Sequence, residues 1–173
     1  MPEDPDLYSR DGALEDLDDI LATLDQKPVL VGHSLGGYLA LAYAATRPAA
    51  VRGLVVMATG PGFRDPEKRE AWNERSKRNA HRFGVELQVA GLNLQHDALV
   101  MESLEKIQIP TLALAGDEDA APYSRSGEYL QRKMPNARFV AIVGGKHSMH
   151  EDSHAEEIAK QIADFVTGLP DAA

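Results

Sequence analysis

The chain has 173 residues, 43% of them hydrophobic, which suits one domain with a sizeable core. Its formal net charge of -9 argues against a nucleic-acid or anionic-membrane partner, and the absence of cysteine excludes a disulfide framework, a thiolate zinc site and a Cys nucleophile. No run approaches the length of a transmembrane helix, and the acidic, proline-rich Met1-Pro2-Glu3-Asp4-Pro5-Asp6 is the opposite of a signal peptide, so a cytoplasmic protein is expected.

Leu14, Leu17, Leu21 and Leu24 recur at helical spacing with Glu15, Asp16, Asp18 and Asp19 opposite, which predicts a helix over 12–24 capped by Ser9 or Asp11. A short apolar strand over 28–31 follows. It runs into Gly32-His33-Ser34-Leu35-Gly36-Gly37, which fits G-x-S-x-G, and then into a small-residue helix that must end before Pro48. A strand that turns this sharply into a helix lifts the central serine clear of the sheet and needs room at its flanks, which Gly32 and Gly36 are expected to supply. The helix starting at Leu35 also points its unpaired N–H groups toward negative charge developing on a substrate.

A second strand is expected over 54–57, closed by Thr59-Gly60-Pro61-Gly62. Asp65-Pro66 then signals a helix reaching to about 82, whose interleaved charges, such as Glu74 four before Arg78, fit a water-facing surface better than a phosphate-binding one. Trp72 and Phe83 give that segment something to pack with, 85–101 reads as irregular, and only weak helical signals appear over 96–104. Residues 61–105 are therefore expected to form a small mobile lid within a single domain spanning 1–173.

A third strand over 111–115 leads into Gly116-Asp117-Glu118-Asp119, a helix follows over 124–134, and a fourth strand over 138–143 leads into Gly144-Gly145-Lys146-His147. The last helix carries Ala155, Ile158, Ala159, Ile162 and Phe165 on one face, with Ser153-x-x-Glu156 as its expected capping box. Near-continuous apolar strands alternating with helices predict an α/β fold, a parallel, doubly covered sheet of about four strands.

Ser34, Asp119 and His147 each lie just past the C-terminal end of an expected parallel strand, the edge where such sheets hold ligands. With the landmarks Gly32-His33-Ser34-Leu35-Gly36-Gly37, Ile109-Pro110-Thr111-Leu112-Ala113-Leu114-Ala115-Gly116-x-x-Asp119 and Gly144-x-x-His147, the chain resembles the α/β-hydrolase superfamily over nearly its whole length. It is most similar to the serine-nucleophile branch of lidded esterases, haloperoxidase-like proteins and carbon–carbon bond hydrolases. The resemblance implies a serine hydrolase acting on a small-molecule ester or related acyl compound through an acyl-enzyme, with no cofactor and no metal. Ser34 would be the nucleophile, His147 the base, and Asp119 the acid that orients it, with the Leu35 backbone N–H in the oxyanion hole. Asp117 is the rival acid, and Asp119 is preferred because the family places its acid three residues after the strand-end glycine.

His150-Glu151-x-x-His154 also fits the two-histidine zinc pattern, but Ser153 as a cap would leave His150 outside the helix. His33 reads as a packed neighbour of the site rather than a second base. Relative to the family pattern, the strands before the elbow and their second oxyanion donor have no counterpart in residues 1–31. The chain therefore reads as an N-terminally truncated, C-terminal portion of the fold, whose elbow strand would be an open edge covered by a second copy or by the missing N-terminal segment. The alternative is a non-catalytic remnant serving as a binding or assembly module.

Overall fold

The computed structural model describes residues 8–83, 87–121, 123–151 and 153–170. Met1–Asp6, Val85 and the side chain of Phe83, all used in the sequence reading, lie outside the described residues. The first helix, α1 (Arg10–Leu21), begins where Ser9 caps it by accepting from the Gly12 N–H. It stops short of Leu24 because Thr23 and Leu24 close tighter turns onto Ile20 and Leu21. Strand β1 (Val29–His33) runs into α2 (Leu35–Thr46), and β2 (Gly53–Met57) follows. Between β2 and β3 (Thr111–Gly116) the chain forms α3 (Pro66–Asn79), two 3₁₀ turns (Ala80–Phe83 and Leu87–Asn93), α4 (Leu99–Ser103) and a third 3₁₀ turn (Leu104–Lys106). Asp65 caps α3 through the Glu67 N–H, so its start follows the Asp-Pro signal, while its end falls at Asn79 rather than at 82. Helix α5 (Tyr123–Lys133), β4 (Ala137–Ile142) and α6 (Ala155–Thr167) complete the chain. The expected capping box is displaced: His154, not Ser153, occupies the N-cap of α6 and makes no side-chain cap bond.

The four strands form one parallel sheet in the order β1-β2-β3-β4, with Val31 opposite Val55, Val55 opposite Leu112, and Leu112 opposite Arg138. Alternation along the strands divides the apolar interior into two cores. Leu54, Val56 and Ala113 face a core shared with α1, α2, α4 and α5, where Leu14, Leu41, Val100 and Leu130 are buried. Val55, Met57, Leu112 and Leu114 face the other core, covered by Ile158, Ile162 and Phe165 of α6.

Both faces are covered, but unevenly. Val31 points to the α6 side, opposite Val55, yet remains 51% exposed. Among the described residues β1 pairs with β2 alone, so the elbow strand is an open edge. Arg10 grips Asp97 through two bonds of 2.7 and 3.0 Å, holding α1 against the entry to α4, where the same carboxylate accepts from Leu99 N–H. Among the described residues no helix is long and apolar enough to cross a membrane.

Candidate active site

Ser34 occupies the N-cap of α2 with φ 51° and ψ -115°, a strained conformation for a residue with a side chain. The surrounding backbone holds it there. Ser34 N–H donates to the Met57 carbonyl at 2.8 Å, and Tyr38 N–H donates back to the Ser34 carbonyl at 3.1 Å. A Cβ at Gly32 would overlap the Gly36 carbonyl, so the turn closes only with glycine at 32. The expectation for Gly36 is corrected by the same geometry: a Cβ there would meet nothing within 4 Å, and it is the Gly36 backbone, not a missing side chain, that crowds the elbow. Gly37 lets α2 lie against Thr59, whose Cγ2 would be 2.6 Å from a Cβ.

The other two residues come from β3 and β4. Gly116 ends β3 so close to Gly145 that a Cβ would overlap the Gly145 carbonyl, and that same carbonyl accepts from Glu118 N–H at 3.0 Å. Asp117 accepts from Gly144 N–H at 2.7 Å through its side chain, fastening the two loops together. Asp119 instead faces the imidazole: its Oδ2 lies 2.9 Å from His147 Nδ1, and its Oδ1 accepts from Ala120 N–H at 2.6 Å. A carboxylate can only accept, so Nδ1 carries a proton, and in the neutral imidazole Nε2 is then bare. That bare nitrogen lies 3.0 Å from Ser34 Oγ, which donates to it. The Asp119 side chain is 4% exposed and the His147 ring 38%, so the acid is shielded while the ring opens to the cavity.

His33 is built into the same arrangement. Its Nε2–H donates to the His147 carbonyl at 2.7 Å, tying the elbow strand to the loop after β4, and its ring lies 5.0 Å from that of His147 and 4.2 Å from that of His150. Burial pushes the His33 ring below the ordinary histidine value, against the bond to the carbonyl. Tyr123 packs its ring 4.7 Å from His147, and burial raises its phenol, with Asp119 adding to the rise. His150 lies in the 3₁₀ turn Met149–Glu151 and His154 caps α6, so the two do not share one helical face, and no group of three metal-binding side chains occurs among the described residues.

Ser34 and His147 open into a cavity of about 910 Å³. Its far wall comes from the segment between β2 and β3, including Phe63, Trp72 and Leu92. A buried polar knot fixes that wall: Asn73 donates to the Gln95 carbonyl at 3.0 Å, accepts from Gln95 N–H at 2.8 Å, and Gln95 Oε1 accepts from Phe63 N–H at 3.2 Å. The sequence reading missed the contribution of α5 to this wall, though Arg125, Tyr129 and Arg132 stand at i, i+4, i+7 spacing and all line the cavity. Asn73 and Gln95 carried no signal that could have paired them.

A model of the alpha/beta hydrolase family matches residues 2–161. The pimeloyl-[acyl-carrier protein] methyl ester esterase of Neisseria meningitidis serogroup A is 40% identical over 68 residues, which span 39% of this chain and 22% of that protein. The serine hydrolase BPHL of Mus musculus is 25% identical over 185 residues, covering 93% of this chain and 62% of its own length. Among solved structures, the alpha/beta hydrolase enzyme MGS-M2 from a Medee basin deep-sea metagenome library superposes with a TM-score of 0.76 at 18% identity, over all of this chain and 76% of that one. The chain belongs to the alpha/beta hydrolase family.

Proposed function

We propose that this chain is a serine hydrolase that cleaves carboxylic esters or related acyl compounds through an acyl-enzyme. The observation that carries the reading is the continuous chain of hydrogen bonds from Ser34 Oγ to His147 Nε2 at 3.0 Å and from His147 Nδ1 to Asp119 Oδ2 at 2.9 Å. The pimeloyl ester esterase similarity supports an ester substrate.

In this reading Ser34 Oγ attacks the acyl carbon as its proton passes to His147 Nε2. The negative charge that forms on the acyl oxygen turns toward the Leu35 N–H at the start of α2, where a donor and the positive helix end coincide. The imidazolium is stabilised by Asp119, which stays ionised, and gives its proton to the departing alcohol. Water then attacks the ester on Ser34, His147 takes its proton, and the acid leaves as Ser34 is restored. Residues 61–105 act as a lid that excludes water from the cavity during the acyl-enzyme stage.

A fluorophosphonate probe should label the protein at Ser34, and Ser34→Ala should abolish both labelling and p-nitrophenyl ester turnover. Equal labelling of Ser34→Ala would sink the assignment, and an unlabelled parent protein would favour a binding module built on this fold.

A further inference from the structure

We propose that the substrate is an ester whose acyl chain ends in an anionic group, a carboxylate or a phosphate, held by the cavity-lining Arg75, Arg125 and Arg132. The proposal rests on the hydrolytic reading of Ser34 and His147 and adds a substrate class to it.

The charge around the cavity is opposite to that of the whole chain. Acidic residues outnumber basic ones 27 to 18 overall. Along the cavity lining that balance reverses: among the described residues it contains three arginines and no aspartate, glutamate or lysine. Elsewhere several basic side chains meet carboxylates: Arg10 meets Asp97, Arg47 meets Asp18, and Lys133 meets Glu105. Among the described residues none of the three cavity arginines has a carboxylate within 4.0 Å.

Their placement also suits an incoming anion. Arg75 lies over the Trp72 ring at 4.8 Å and Arg132 over the Tyr129 ring at 5.8 Å. A guanidinium lying against a ring face is held in orientation while its N–H edges remain free for the paired oxygens of a carboxylate or phosphate. Arg125 and Arg132 stand two turns apart on α5, on one face with Tyr129, while Arg75 approaches from α3. Helices from two separate parts of the chain thus present positive charge to one opening. The rest of the wall is largely apolar, with Phe63, Leu92 and Met101, and fits a hydrocarbon chain running from Ser34 toward the arginines. Isolated surface arginines are common, but a cavity that gathers three, with no acid among its described lining residues, focuses positive potential on whatever enters.

The test compares p-nitrophenyl hexanoate with the mono-p-nitrophenyl ester of adipic acid, which adds a carboxylate to a chain of the same length. The parent protein should favour the charged ester by about tenfold in kcat/KM, and raising NaCl from about 20 to about 500 mM should erode that preference. Arg75→Gln, Arg125→Gln and Arg132→Gln should each lower the ratio of the two constants by about threefold or more, whereas Arg78→Gln, on α3 but outside the cavity lining, should leave it unchanged. A larger preference for the ester bearing a terminal phosphate also supports the proposal and identifies phosphate as the group. A parent ratio near one, or arginine variants that leave the ratio unaltered, would overturn it.

A binding arm separates this failure from failure of the hydrolytic reading. Trp72 is the single tryptophan and lines the cavity, so its fluorescence in Ser34→Ala protein reports occupancy without turnover. Monomethyl adipate should bind about tenfold more tightly than methyl hexanoate, and Arg132→Gln in the same background should remove the difference. Such binding without any Ser34-dependent hydrolysis keeps the anion site and rejects the enzyme. Equal binding of both compounds rejects the anion site.

Discussion

Strands β1 and β3 both end in residues of the site, yet they are held by different means. Every residue of β3 is buried between two neighbouring strands and two cores. In β1 only Gly32 is buried, and the strand has a partner on one side. The nucleophile candidate therefore follows a sparsely covered edge strand and the candidate acid a fully buried one. What fixes Ser34 is local: the bond from its N–H to Met57, the return bond from Tyr38, the Gly32 contact, and the long buried face of α2 behind it. What fixes Asp119 is the sheet itself, with Gly116 and Gly145 in contact and Asp117 fastening the loop after β4. An edge strand can carry a precise residue when the turn after it is over-determined by backbone bonds.

The largest expected effect is at the candidate acid, Asp119. Asp119→Asn would place an amide donor against Nδ1, moving the ring proton to Nε2 where Ser34 must donate, and kcat should fall about 10⁴-fold. Asp117→Asn keeps an acceptor for Gly144 N–H, and kcat should change by less than about tenfold. Steady-state kinetics on one p-nitrophenyl ester measures both. A reversal of the two effects would make Asp117 the acid.

Stability should divide along the same line as burial. Leu112 is fully buried in β3, and Leu112→Ala should cost about 2–5 kcal/mol in denaturant unfolding. A cost below about 1 kcal/mol would show that the α6 core is looser than its packing implies.

Much of this was legible in the chain because the signals were redundant. The elbow combined an apolar strand, G-x-S-x-G and a small-residue helix, and each observed strand overlaps its expected span, β1 running on to His33 and β4 starting one residue early at Ala137. Asp119 rather than Asp117 was preferred from the family spacing, and the geometry brings Asp119 to the ring while Asp117 bonds the Gly144 backbone. The cavity wall was far less legible. The Leu87–Asn93 turn is 3₁₀, which leaves no 3.6-residue pattern, and Asn73 meets Gln95 through backbone groups that any sequence possesses. The α6 cap was misplaced because Ser153-x-x-Glu156 satisfies a capping pattern that the helix, starting at Ala155, does not use.

His33 ties the elbow strand to the loop after β4 and should make that tie sensitive to acid. Its pKa is lowered from 6.5, chiefly by burial, with the His147 and His150 rings adding to the fall and the His147 carbonyl and Glu151 opposing it. The unfolded chain therefore binds a proton more readily than the folded one as pH drops below about 6.5, so this contribution is complete above that pH and is lost as pH falls through the lower folded value. His33→Gln retains an N–H donor for the His147 carbonyl and removes the titration. The melting temperature of the variant should decline less steeply between about pH 7 and pH 5 than that of the parent. Parallel declines would mean that His33 does not contribute to the acid response.

The smallest effect is expected at the open edge. Val31 occupies the α6 side of β1 but is half exposed, because α6 packs over Val29 and the central strands rather than over it. A side chain left this accessible contributes little on its own, so Val31→Lys should change unfolding free energy by less than about 0.5 kcal/mol. A lysine also blunts an unpaired strand against edge-to-edge pairing, so the variant should show less self-association than the parent in concentrated solution by sedimentation velocity. If Val31→Lys instead costs more than about 2 kcal/mol, Val31 is covered in the protein as it exists, and the elbow strand is an interior strand of a larger sheet or of an assembly.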